Sequence, residues 1–327
     1  MIRKELRIIL LSLGISLLLT IAKFAAYFLT HSVAILSDAL ESIINVVAGG
    51  FACYSIYLTG KPKDANHPYG HGKVEFFSIG FEGAMICIAG VLILFKAVQY
   101  FIIKPALLQI DRGIWVISIT AVVNFLLGLY LARSGKKLNS ITLSGNGQHI
   151  LTDAYSSAAL IAALVIIRFT GQTWIDPAVS VVMGVMILRK GYQLMRQSIS
   201  GLMDETDMQV IDKVIEILHS HRHRTWIDVH NMRVQQYGNN YHIDCHVTLP
   251  YYLELNQAHE EIKAFEQLVN RELEGHEVEF FIHVDPCIPA LCQYCQLSEC
   301  PVRSHPFRYK ITWTRENVLP NRKHAVD

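Results

Sequence analysis

Six apolar runs, each near the ~20 residues a helix needs to cross bilayer hydrocarbon, occupy the first two hundred residues of this 327-residue chain. They fall at about Ile8–Leu29, Val33–Leu58, Phe76–Phe101, Gly113–Ala132, Gly145–Ile167 and Ile175–Met195. Backbone amides in lipid must be satisfied within their own segment, so such runs fold as helices. The expected class is an α-helical membrane domain with six transmembrane helices. The tight "LTHS" link makes the first two spans an antiparallel hairpin.

Basic residues orient the set. Arg3, Lys4 and Arg7 precede span one, and Lys61, Lys63 and Lys73 lie between spans two and three. Arg133, Lys136 and Lys137 lie between four and five, and Arg189, Lys190 and Arg196 close span six. The opposite loops hold only Lys104, Arg112 and Arg168. A multi-pass protein with both termini in the cytoplasm follows, placed in the plasma (inner) membrane if the cell is bacterial. "MIRKELR" is a basic start, but the apolar run after it is too long for a signal peptide.

From about Thr206 the period changes. "DMQVIDKVIEILHSH" places Val210, Val214, Ile217 and Leu218 on one helical face. "WIDVHNMRVQQYG" reads as a strand, and "NYHIDCHVTLP" alternates Tyr241, Ile243, Cys245 and Val247 with polar residues as a half-buried strand does. An amphipathic helix, "LNQAHEEIKAFEQLVNREL", and a last strand, "VEFFIHVDP", complete a cytoplasmic αββαβ domain. The domains are thus 1–205 in the membrane, 206–286 an α/β domain for dimerisation and regulation, and 287–327 a Cys-rich tail. A core that small gains stability by dimerising. The net charge of +1 gives no reason to expect nucleic acid.

Ionisable residues inside the apolar runs carry the chemistry. "QHILTDAYSS" puts His149 and Asp153 one helical turn apart in span five, and "SDALESIINVVAGG" does the same for Glu41 and Asn45 in span two, with Asp38 a turn earlier. Either pair can serve as a structural hydrogen bond between helices. Together they offer two carboxylates, an imidazole and an amide, a set suited to a divalent cation. Intramembrane ionisable residues are costly and mostly functional, which favours the metal site. Metal needs a neutral imidazole and ionised carboxylates, so it competes with protons for the same lone pairs. With its ordinary pKa of ~6.5, His149 is suited to that exchange. In the loop after span two, Asp64, His67 and His71 have the spacing D-x-x-H-x-x-x-H, which a merely hydrophilic loop can also carry.

Six spans, ligand-type pairs in spans two and five, "HSVAILSDALES", "HPYGHGK" and the small α/β domain together resemble the cation diffusion facilitators over residues 1 to about 286. The resemblance implies a dimeric metal-ion/proton antiporter, a secondary active transporter rather than an enzyme, with a metallochaperone-like cytoplasmic domain. It puts the transport site on Glu41, Asn45, His149 and Asp153, with Asp38 as an auxiliary carboxylate. Asn45 departs from the family pattern, where an Asp is usual, and leaves the choice of metal open. The resemblance further implies an accessory site at Asp64, His67 and His71, and a dimer-locking charge pair of Lys73 with Asp204. A cytoplasmic zinc pair at the dimer interface falls on His230, His246, His259, His283 and Asp285. His221, His223, His242 and His276 match no such position and read as solvated.

Seven cysteines, five of them from Cys245 onward, do not form the framework of a small secreted protein. Cys287, Cys292, Cys295 and Cys300 fall within "CIPALCQYCQLSECPVRSH", with His305 following. Such a cluster reads as a zinc or soft-metal site, or as a disordered or redox-active tail.

The expected function is efflux of a divalent transition metal, Zn2+ first and iron, cobalt or manganese after it, with no organic cofactor. A metal-dependent membrane enzyme would need a nucleophile or general base beside the metal, and no such motif is present. A receptor that binds metal without moving it is the remaining alternative.

Overall fold

The computed structural model describes residues 2–30, 33–103, 110–172, 174–238, 240–273 and 277–324. The chain divides into two compact units, Met1–Met203 and Asp204–Asp327. In the first are α1 (Ile2–Thr30), α2 (Val33–Thr59), α3 (Val74–Ile103), α4 (Ile110–Leu138), α5 (Ile141–Thr170) and α6 (Ile175–Leu202). Among the described residues these six helices are long and apolar enough to cross a membrane. They overrun the apolar runs: the 29 residues of α4 extend for about 43 Å against a hydrocarbon core of ~30 Å. The extra turns carry Asp111 at one end and Lys136 and Lys137 at the other, where they meet water. His31 and Ser32 of the "LTHS" link, and Lys104 of a later loop, lie outside the described residues.

Outward-facing residues such as Leu18, Phe95, Trp115 and Phe169 are exposed, as lipid permits. Small residues allow the helices to close on one another where lipid supplies no hydrophobic drive between them. A Cβ on Gly83 of α3 would stand 2.9 Å from the Gly191 carbonyl oxygen of α6, and one on Gly191 would stand 2.9 Å from that of Gly83.

In the apolar windows of α2 and α5 half the residues are buried, against 22–33% in the other four helices. These two helices therefore form the interior. Two apolar layers cross it, each built by α1, α2, α4 and α5. One joins Ile9, Ala52, Ile56, Leu127, Leu131, Leu143 and Ile150. The other joins Ala26, Ile35, Ile117, Leu160 and Leu164. Along α2 and α5, Asp38, Glu41, Asn45 and Asp153 lie between the two, and His149 stands beside Ile150 at the edge of the first.

The second unit begins with α7 (Met208–Ser220), whose first turn is capped by Asp207 accepting from the Gln209 N–H at 2.8 Å. It continues through β1 (Asp228–Tyr237), β2 (Asn240–Leu249), α8 (Leu255–Glu272) and β3 (Glu277–Pro286). The sheet runs β1-β2-β3, with β1 antiparallel and β3 parallel to β2. Val229, Val234, Ile243, Cys245, Val247 and Val278 pack with Val214 and Leu218 of α7 and Phe265 and Val269 of α8. This is the αββαβ arrangement the periodicity predicts.

Beyond β3 the chain folds back as a short 3-10 helix (Pro289–Gln293) and α9 (Arg315–Val318). Trp313 and Val318 join the domain core. Arg222 holds the return in place: it donates to the carbonyls of Trp226, Ile227 and Ile311 and lies 4.0 Å over the Trp313 ring. Between His230 and Arg233 the β1 ladder bulges. There Asn231, at φ 52, donates its N–H to the Pro320 carbonyl at 2.9 Å. His242 departs from the solvated reading. It is buried, against Tyr237 and 3.4 Å from Glu279, its register partner on β3. His221 and His223 are exposed, the latter stacked on Trp226. His276 lies outside the described residues.

Candidate metal centres

Helical spacing carries two of the four membrane residues on each of α2 and α5, and packing brings the pairs together. Glu41, Asn45, His149 and Asp153 are all buried. Asn45 joins the helices: its Nδ2 donates to Asp153 Oδ2, and its Oδ1 accepts from His149 Nε2. Asp153 Oδ1 is 3.6 Å from the same imidazole nitrogen and has no hydrogen-bond partner. The Glu41 and Asp153 carboxyls face one another closely enough to interact electrostatically. Contact between two buried acids is favourable only with a shared proton or a cation.

Asp38 is placed differently. Its Oδ1 is 2.9 Å from Lys23 Nζ and accepts from Ser157 Oγ at 3.0 Å. Lys23 is almost wholly buried in α1, so its ammonium neutralises Asp38 within the helical interior. Glu82 of α3 brings a further carboxyl to the site, with Oε1 3.9 Å from His149 Nδ1 and neither atom otherwise hydrogen-bonded. Sequence reasoning missed Lys23 and Glu82. Each interrupts an apolar run without the partner one turn away that marks α2 and α5. The interruption of the run was the available signal.

In the loop before α3, one ligand atom from each of Asp64, His67 and His71 lies within 4.8 Å of the others. Asp64 accepts from the His67 and Asn66 backbone N–H groups at 2.8 and 3.0 Å. Led by the His67 N–H, these bonds hold its carboxyl below the usual carboxylate range. The loop thus presents an ionised carboxylate beside two imidazoles.

In the second unit, strand register aligns His230 of β1, His246 of β2 and His283 of β3 in one cross-strand row. Ligand atoms of His230, His246 and Asp285 fall within 4.8 Å of one another. Asp285 Oδ2 is 3.3 Å from His230 Nε2 and 3.1 Å from His246 Nδ1, and Oδ1 is 3.5 Å from His283 Nδ1. Burial lowers the pKa of His230, against the pull of Asp285, and so favours the neutral imidazole that binds metal. His259 stands on the exposed side of α8, outside this group within one chain. Two tail residues close the cluster that the sequence did not indicate. Lys323 Nζ is 3.8 Å from Asp285, and His324 contacts Asp228, whose other oxygen is 3.0 Å from His230.

Lys73 ends the loop before α3, and Asp204, at φ 56, opens the second unit. Cys287, Cys292, Cys295 and Cys300 carry free thiols and line one cavity.

The profile of the cation efflux transmembrane domain matches residues 9–203, and that of the cation efflux protein cytoplasmic domain matches residues 206–287. An uncharacterised transporter of Synechocystis sp. is 33% identical over 276 residues, spanning 84% of this chain and 88% of the relative. A cadmium, cobalt and zinc/H(+)-K(+) antiporter of Bacillus velezensis is 25% identical over 242 residues, 73% of this chain and 76% of the relative. A manganese efflux system protein of Bacillus subtilis is 26% identical over 287 residues, 86% of this chain and 95% of the relative.

Proposed function

This chain belongs to the cation efflux, or cation diffusion facilitator, family, and from that premise we propose that it is a homodimeric antiporter exporting a divalent transition metal in exchange for protons. Zinc is the first substrate, with iron, cobalt and manganese after it. The observation that carries this reading is the meeting of Glu41, Asn45 and Asp153 between two apolar layers, with His149 at the edge of one.

Each residue has a distinct task there. Glu41 and Asp153 supply the two negative charges that neutralise the ion, His149 Nε2 a nitrogen ligand, and Asn45 Oδ1 a neutral oxygen. Metal displaces the proton at His149 Nε2 and the one shared by Glu41 and Asp153, so binding and proton release are one event. The apolar layers on either side exclude a hydrated ion, and access from each side requires the helices to part there in turn. Both termini face the cytoplasm.

The other groups serve regulation and assembly. His230, His246, His283 and Asp285 hold zinc in the cytoplasmic domain, and dimerisation brings in His259, which one chain leaves apart from them. The Asp64, His67 and His71 loop is an accessory site.

Flux into sealed proteoliposomes with a panel of metals tests the reading. Zinc should move, an imposed pH gradient should drive it in the direction opposite to protons, and Asp153→Ala should abolish movement in a folded protein. A folded Asp153→Ala protein transporting at the normal rate, or flux indifferent to the gradient, would overturn it. Binding without flux would instead identify a receptor.

A further inference from the structure

The family matches end at residue 287, and the chain beyond it is folded around a cluster of sulfur. Cys287, Cys292, Cys295 and Cys300 line a cavity of about 100 Å3 between the end of β2 and the returning tail. Each thiol has a donor directed at it. The Tyr251 N–H donates to Cys287, the Ser304 N–H to Cys292 at 3.4 Å, the Leu297 N–H to Cys295, and the Tyr252 phenol to Cys300.

The backbone around the sulfurs is fixed as a binding loop requires. Arg303 donates to the carbonyls of Cys292, Cys295 and Leu297, and so ties the C-x-x-C turn to the segment that follows Cys300. Four thiolates around a dication leave two negative charges. Two guanidinium groups, those of Arg222 and Arg303, interact electrostatically with Cys295 and offset them. No three of the sulfurs yet lie within 4.8 Å of one another. In a tetrahedral site with Zn–S of ~2.3 Å they stand about 3.8 Å apart, so metal binding draws the four side chains together into the cavity.

We propose that Cys287, Cys292, Cys295 and Cys300 form a closed tetrathiolate site for one divalent d10 ion, zinc or its softer congener cadmium, which fastens the tail to the cytoplasmic domain. A closed four-sulfur shell leaves no position for substrate, so the site is structural and independent of transport. Redox-inert zinc also keeps the thiols from pairing as disulfides.

The reduced, metal-stripped full-length protein in detergent tests this directly. Titrated with Co2+, it should develop intense thiolate-to-cobalt charge-transfer bands with a tetrahedral d–d spectrum, saturating at one such ion per chain and bleached by Zn2+. The histidine and carboxylate sites cannot produce the thiolate bands. Zinc should also protect four of the seven thiols from a thiol reagent. Cys292→Ser with Cys295→Ser should remove the bands and leave proteoliposome flux in place. Cobalt binding without thiolate bands, the colour of an iron–sulfur centre in the protein as isolated, or equal thiol reactivity with and without zinc would overturn the assignment. None of these three readouts needs a variant.

Discussion

Asn45 and Asp153, 108 residues apart, are joined inside the membrane unit by the Asn45 amide donating to the Asp153 carboxylate, while its carbonyl oxygen meets His149. A carboxamide here gives the site one neutral oxygen among charged ligands. Asn45→Asp turns that donor into a third carboxylate, which should strengthen binding of divalent metal and change the ranking among zinc, iron and manganese. Competition binding with the three metals on both proteins checks this. An unchanged ranking would place Asn45 outside the ligand set.

The Lys23–Asp38 pair, 2.9 Å apart and nearly without solvent exposure, is charge neutralisation within the helices. Lys23→Ala strands a buried carboxylate and should destabilise the membrane unit by about 3–5 kcal/mol. Replacing both partners, Lys23→Met with Asp38→Asn, should recover most of that loss. Thermal unfolding in detergent reads the difference. A Lys23→Ala protein as stable as the parent would mean that Asp38 is neutralised in another way.

Zinc held by His230, His246, His283 and Asp285 should favour the dimer, because metal bound to the assembled form shifts the equilibrium by mass action. Light scattering of the full-length protein in detergent should show more dimer with zinc than without it. His246→Ala with His283→Ala should remove the difference. Dimer content insensitive to zinc in the parent protein argues against a site that links the subunits.

Acid should loosen the tail. Burial, helped by the nearby Arg222 charge, pushes the His324 pKa down to about 4. With its proton on Nδ1 the neutral ring donates to Asp228, and Nε2 is left bare. Once undocked, the imidazole returns to ~6.5. The released state then takes up the proton first, and docking is lost as pH falls from about 6.5 toward 4. Fluorescence of Trp313, which the docked tail buries, should follow that window, with Trp313→Phe identifying its share. His324→Gln, which cannot titrate, should flatten the response. A parent signal constant between pH 7 and 4.5 would count against it.

Much of this protein was determined locally and is therefore legible in its sequence. A bilayer obliges each spanning segment to satisfy its own amides, so six apolar runs specify six helices. The one-turn spacing of His149 with Asp153, and of Glu41 with Asn45, is likewise a property of a single helix. In the cytoplasmic domain the alternation along β2 reveals its buried face. Tertiary structure alone decided what lies across from what. Nothing in the spacing marks Asn45 as the bridge between His149 and Asp153, or gives Lys23 to Asp38 and Glu82 to His149. Those pairings depend on how closely helix backbones approach and on which buried charge must be neutralised. The row of His230, His246 and His283 depends on strand register, one strand joining in parallel after a long crossover. The return of Trp313, Lys323 and His324 to the sheet likewise leaves no periodic trace, because it is held by single contacts: an arginine over an indole, a bulge amide on Pro320, an imidazole against Asp228.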